Sequence, residues 1–124
     1  SDIDMYQHVN HATMVTILEE ARVPFLTEPF AEDVATTGLL IAEVNVKYKD
    51  QLRLVDSPLQ VTIWTNRLRA CDFTLGYEVR SAQADPDSKP AVIGETQLAT
   101  FNIERQMLVR IAPHQREYLQ RFAR

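Results

Sequence analysis

The chain has 124 residues, 45% of them hydrophobic and 24% charged, a composition that excludes disordered and fibrous architectures and suits one compact domain burying roughly two-thirds of its unfolded surface. A formal charge of −4 and a pI near 5.3 exclude the basic face on which nucleic-acid binding rests, so any anionic ligand must be met by local cations. Cys71 is the only cysteine, which excludes internal disulfides and cysteine-rich zinc sites and is compatible with a reducing, cytoplasmic setting.

The chain opens on "SDIDMYQHVNH", with Asp2, Asp4, His8, Asn10 and His11 ahead of the first hydrophobic element. That polar start cannot serve as the core of a signal peptide, and no later apolar run approaches the roughly 18 residues of a membrane span. From Ala12 to Leu26 the apolar residues Met14, Val15, Ile17, Leu18, Ala21 and Phe25 recur at helical spacings. Asn10 is placed to cap this helix, and Pro24, lacking a backbone donor, is expected to end or kink it. "TEPFAEDVATTG" then reads as a connector with room for one short helical turn.

After Gly38 the period changes to alternation. "LIAEVNVKYK" predicts a strand with Ala42, Val44, Val46 and Tyr48 on one face and Glu43, Asn45, Lys47 and Lys49 on the other. "PLQVTIWTNRL" and "CDFTLGYEVRSA" alternate in the same way and read as half-buried strands. "QADPDSKP" is an exposed turn leading into the strand "AVIGETQLATFNI", and an amphipathic helix follows Pro113 with Tyr118, Leu119 and Phe122 on one side. With no internal repeat or second domain, residues 1–124 read as a single unit. One helix and four strands in succession, joined by short links, predict an α+β fold with an antiparallel sheet wrapped around the helix.

This arrangement resembles the hot-dog fold of the 4-hydroxybenzoyl-CoA thioesterase-like family of acyl-CoA thioesterases. In that family a short first strand ends in a D-x-D-x-x-G-H-V-N-N pattern, followed by a central helix ending in a Leu-Glu-Glu-Ala-Arg type sequence. Here the matching residues are Asp2, Asp4, His8, Val9 and Asn10, then Leu18, Glu19, Glu20, Ala21 and Arg22. The resemblance continues through "VNVKYKDQLRLVD", "FTLGYEV", "GETQLATFNI" and "VRIAP". Gln7 stands where Gly is usual, His11 where a second Asn is usual and Met14 where an aromatic residue is common, and Pro24 is unusual in the helix. The family's first strand is nearly absent, as in a chain truncated at its N-terminus.

The resemblance implies hydrolysis of an acyl-CoA to a carboxylic acid and CoA, with no metal or organic cofactor. Such a reaction needs a base or nucleophile and donors that stabilise charge on the carbonyl oxygen. Asp4 matches the family's catalytic aspartate, which either attacks the thioester or activates water. The backbone amide near His11 matches the carbonyl-polarising donor, and amides of the first turn around Ala12 and Thr13, aided by the helix dipole, suit the same task.

Glu19 lies near where another branch of hot-dog thioesterases places its acid, or lines the pocket or contacts substrate, or is an exposed helix charge or a partner for Arg22. His8 and Asn10 either orient Asp4 or water, or satisfy backbone groups. CoA phosphates require cations, for which Lys47, Lys49 and Arg53, or Arg67 and Arg69, are candidates. Asp2, Asp4, His8 and His11 match no established metal-ligand spacing. The family builds its sites across subunit interfaces, so a homodimer or a higher oligomer such as a tetramer is expected. A non-catalytic acyl-thioester binding or regulatory protein is the competing reading, and a hot-dog hydratase a third.

Overall fold

The computed structural model describes residues 11–30, 37–50, 52 and 58–124. Its elements are α1 (His11–Phe30), β1 (Thr37–Tyr48), β2 (Gln60–Leu68), β3 (Asp72–Arg80), β4 (Val92–Asn102), β5 (Met107–Leu108) and α2 (Pro113–Arg121). The sheet is antiparallel with strand order β1-β4-β3-β2, and β5 folds back on the end of β4. The succession of strands along the chain is therefore not their order in the sheet: β1 and β2 lie at opposite edges. β5 was not legible from alternation, since a two-residue strand has none.

The first helix extends beyond its expected end, running through Pro24 and Pro29 to Phe30, so the start of the presumed connector is helical. A helical proline leaves the carbonyl four residues earlier without its partner. For Pro29 that carbonyl belongs to Phe25, and the Tyr118 hydroxyl of α2 donates to it. For Pro24 it belongs to Glu20, an exposed residue whose carbonyl water can reach. A hydrogen bond from a residue 93 positions away thus lets the helix continue.

Burial pushes the Tyr118 phenol above its ordinary value, Glu28 adds to the rise and Arg121 opposes it. A raised value means that the folded chain holds the proton more tightly, so this contribution to stability is complete below the ordinary tyrosine value near 10 and is lost as pH climbs through the folded value. Tyr118→Phe is expected to lower stability by about 1 kcal/mol at neutral pH. Urea midpoints of the two proteins should converge in strong alkali, and a gap independent of pH would contradict this role.

α1 lies across β3 and β4. Met14, Leu18, Leu26 and Phe30 enter a core with Phe73, Leu75, Tyr77, Val79, Val92 and Leu98. Phe30 stacks on Phe73 with ring centroids 5.6 Å apart. Leu18 comes so close to β4 that a Cβ at Gly94 would lie 3.0 Å from its Cδ1.

β3 is buried on both faces rather than one: Thr74 and Arg80 are buried along with Phe73, Leu75, Tyr77 and Val79. Trp64 covers its outer face at Gly76, where an added Cβ would sit 2.6 Å from the indole. Arg124 stacks above the same ring at 4.0 Å and pairs with Glu78 at 3.2 Å, which restrains the indole from moving aside. Gly76→Ala is expected to cost about 1–3 kcal/mol through overpacking. A lowered urea midpoint, largely recovered when Trp64→Leu is added, checks this coupling; an unchanged midpoint in the single variant would contradict it.

β1 departs most from expectation. A bulge between Ile41 and Glu43 breaks its alternation. Of the four residues expected on one face, Val46 alone is part-buried, while Ala42, Val44 and Tyr48 are exposed. Leu40, Ile41, Val44 and Tyr48 are between 42% and 53% exposed. The two sheet edges differ as well. On β2, Thr65 N–H donates to the Phe122 carbonyl at 3.0 Å and Thr65 bridges to Ala123, so the C-terminal residues lie along that strand. β1 pairs only with β4 among the described residues.

Candidate active site at the start of the first helix

α1 spans His11–Phe30, and His11 is also the first described residue, next in sequence to Asn10. Asp2, Asp4, His8, Asn10 and Arg53 lie outside the described residues. His11 and Ala12 are exposed, whereas Thr13 is buried. N–H groups in the first turn of a helix have no acceptor within it and carry the positive end of the dipole, as a developing oxyanion requires.

His11 Nδ1 and the Tyr48 hydroxyl are 2.9 Å apart, with ring centroids at 5.7 Å. The hydroxyl donates when His11 carries its proton on Nε2. This contact joins the helix start to the end of β1. Burial pushes the Tyr48 phenol above its ordinary value, which keeps it protonated and able to donate. Sequence pattern placed Tyr48 on one strand face with Ala42, Val44 and Val46, and no local signal showed that it would meet His11.

Lys47 and Lys49 are exposed and flank Tyr48, so they stand at the same end of β1 as the helix start. Of the alternative cations, Arg69 is committed to Asp72 at 2.9 Å. Arg67 lines a polar cleft of about 220 Å³ with Glu43 and Glu95, two carboxylates that disfavour a phosphate there.

Glu19 is exposed, and among the described residues it forms no ion pair with Arg22. Arg22 instead turns inward, is 8% exposed, and donates through one nitrogen to the Tyr77 hydroxyl at 3.4 Å and to Thr96 Oγ1 at 3.5 Å. A groove of about 340 Å³ opens beside it, lined also by Leu26, Phe30, Leu39, Ile41 and Leu98. Sequence reading gave Arg22 no role beyond the motif and Glu19; its place among apolar helix positions was the available sign of burial.

Among the described residues no helix is long and apolar enough to cross a membrane, and no group of three or more His, Cys, Asp or Glu side chains could hold a metal.

The family model of the thioesterase-like superfamily matches residues 1–121, and the chain belongs to that superfamily. Solved structures share its hot-dog fold. The probable thioesterase YbaW from Escherichia coli is similar at 22% identity and a TM-score of 0.81, over 99% of this chain and 92% of that one. The 1,4-dihydroxy-2-naphthoyl-CoA thioesterase Slr0204 from Synechocystis is 12% identical with a TM-score of 0.77, over 96% of this chain and 88% of that one. BH1999, a gentisyl-coenzyme A thioesterase, is 20% identical with a TM-score of 0.77, over 95% and 91%. No curated protein matches the chain in sequence.

Proposed function

We propose that this protein is an acyl-CoA thioesterase that hydrolyses the thioester to a carboxylic acid and CoA. The observation that carries the reading is the exposed pair His11 and Ala12 in α1, with His11 held by Tyr48 beside Lys47 and Lys49, in a chain of the thioesterase-like superfamily. The thioester carbonyl accepts hydrogen bonds from backbone amides at His11 and Ala12. Asp4, in the segment leading into the helix, attacks the carbonyl carbon or takes a proton from the attacking water. Asn10 and His8 orient that water or the carboxylate, and Glu19 faces solvent as a secondary acid. Lys47 and Lys49, with Arg53 in the segment that follows, meet the CoA phosphates. CoA-thioester substrates of two structural neighbours support the choice of thiol.

The working form is a homodimer joined through the free edge of β1, where Leu40, Ile41, Val44 and Tyr48 are exposed. Pairing there buries apolar surface and removes an unpaired strand edge. The substrate is met inside a soluble, cytoplasmic enzyme. A panel of acyl-CoAs, followed by free-thiol release and by mass of the acyl product, tests the reading. Thiol and free acid should appear in equal amounts. Loss of an enoyl-CoA without thiol release would replace it with hydration.

A further inference from the structure

Among the described residues Arg22 is a charge without a counter-charge. A guanidinium carries five N–H donors in a planar fork. In Arg22 one nitrogen makes both hydrogen bonds, at 3.4 and 3.5 Å, and both acceptors are neutral hydroxyls. Among the described residues no carboxylate pairs with it. Yet the residue is only 8% exposed. Burying a cation is unfavourable unless an anion or a full set of acceptors accompanies it, and the described residues leave part of that set to be supplied.

Beside Arg22 the groove bounded by Leu26, Phe30, Leu39, Ile41 and Leu98 holds about 340 Å³, within the range of small-molecule sites. Its walls are otherwise largely apolar, which suits an acyl chain. We propose that this groove receives the acyl part of the substrate and that Arg22 selects acyl groups bearing a carboxylate at the end remote from the thioester. Arg22 is then a specificity-determining residue: its free donors pair with the carboxylate while the apolar walls cover the intervening methylenes.

The inference rests on the thioester-hydrolysing reading above. At 1.5 Å rise per residue, the Arg22 and His11 backbones are about 16 Å apart along α1. The groove runs on from Arg22 toward Phe30, away from the helix start of its own chain. His11 stands at the Tyr48 end of β1, whereas the groove stands at its Leu39–Ile41 end. Antiparallel pairing of two β1 edges about the middle of the strand therefore brings the helix start of one copy toward the groove of the other.

The test compares octanoyl-CoA with octanedioyl-CoA, which differ only in a terminal carboxylate, on wild type, Arg22→Met and Arg22→Lys. Melting shifts with octanoate and octanedioate, the free acids, give a readout independent of turnover. Wild type should favour the carboxylated thioester by about 10- to 100-fold in kcat/KM, as for a charge-assisted hydrogen bond. In Arg22→Met that ratio should fall toward one. Arg22→Lys, which keeps the charge but loses the fork, should retain part of it and serves if Arg22→Met does not fold. Octanedioate should raise the melting temperature of wild type more than octanoate does. If neither thioester is hydrolysed but this difference is present in wild type and lost in the variants, the Arg22 inference stands while the thioesterase reading falls. Equal handling of both compounds by wild type, or a ratio unchanged in the variants, overturns the inference.

Discussion

Replacing Asp4 by asparagine is expected to slow CoA release by about 10²- to 10⁴-fold, the usual contribution of a positioned base, equivalent to about 3–5 kcal/mol of barrier. Asparagine keeps the shape and hydrogen-bonding capacity of the side chain but cannot hold a proton taken from water or act as a carboxylate nucleophile. Either route therefore loses activity. KM should move much less, because the amides of the first turn, the exposed lysines and the groove beside Arg22 are untouched. The separation matters because Asp4 could instead be a solvated acid or a helix-cap partner. A cap lost to substitution would lower stability by about 1 kcal/mol and leave turnover almost intact. Steady-state kinetics with a melting curve on the same preparation distinguish the two; a rate within about threefold of wild type would remove Asp4 from the chemistry.

The largest stability effect is expected at Phe73. Its side chain is fully buried, flanked across the sheet by Leu68 on β2 and Leu98 on β4, and stacked on Phe30 at the end of α1. Phe73→Ala is expected to cost about 3–5 kcal/mol through lost transfer free energy and the cavity left behind. A domain of this size has only about 5–15 kcal/mol in total, so much of the native margin disappears. The acyl groove should suffer with it, since Phe30 forms part of its wall. Urea unfolding followed by circular dichroism measures the loss. Val44→Ala, on the exposed edge of β1, supplies the contrast, with a change within about 0.5 kcal/mol in the isolated chain. A Phe73→Ala loss below about 1 kcal/mol would contradict this account of the core.

How far the fold was legible follows from where each signal is local. α1 announced itself by Met14, Leu18 and Phe25 at helical spacing, and β3 and β4 by alternation. The end of α1 was not legible, because Pro24 and Pro29 are local stop signals and the hydroxyl that offsets one of them comes from Tyr118. The burial of both faces of β3 was equally hidden: alternation of Phe73 with Thr74 marks a half-buried strand, whereas Trp64 and Arg124 arrive from elsewhere to cover the polar face. In β1 alternation separated two faces but did not say which is covered: among the described residues β1 is an edge strand, and Leu40, Ile41, Val44 and Tyr48 are exposed.

The candidate site divides in the same way. Asp4, Asn10, the His11 amide and Glu19 could be named because their motif is contiguous in sequence. Tyr48 and Arg22 gain their meaning only in three dimensions, one by meeting His11 and the other by turning inward where a partnership with Glu19 was expected. Lys47 and Lys49 were legible as cations, and β1 carries them to the end of the sheet where the helix begins.

The most direct measurement is the number of CoA molecules released per protein chain from an excess of acyl-CoA, with the free acid counted alongside. The thioesterase reading predicts many of each per chain, in equal amounts. Binding of acyl-CoA across the panel with no release of thiol beyond the uncatalysed rate would contradict it and identify the protein as an acyl-thioester binding module.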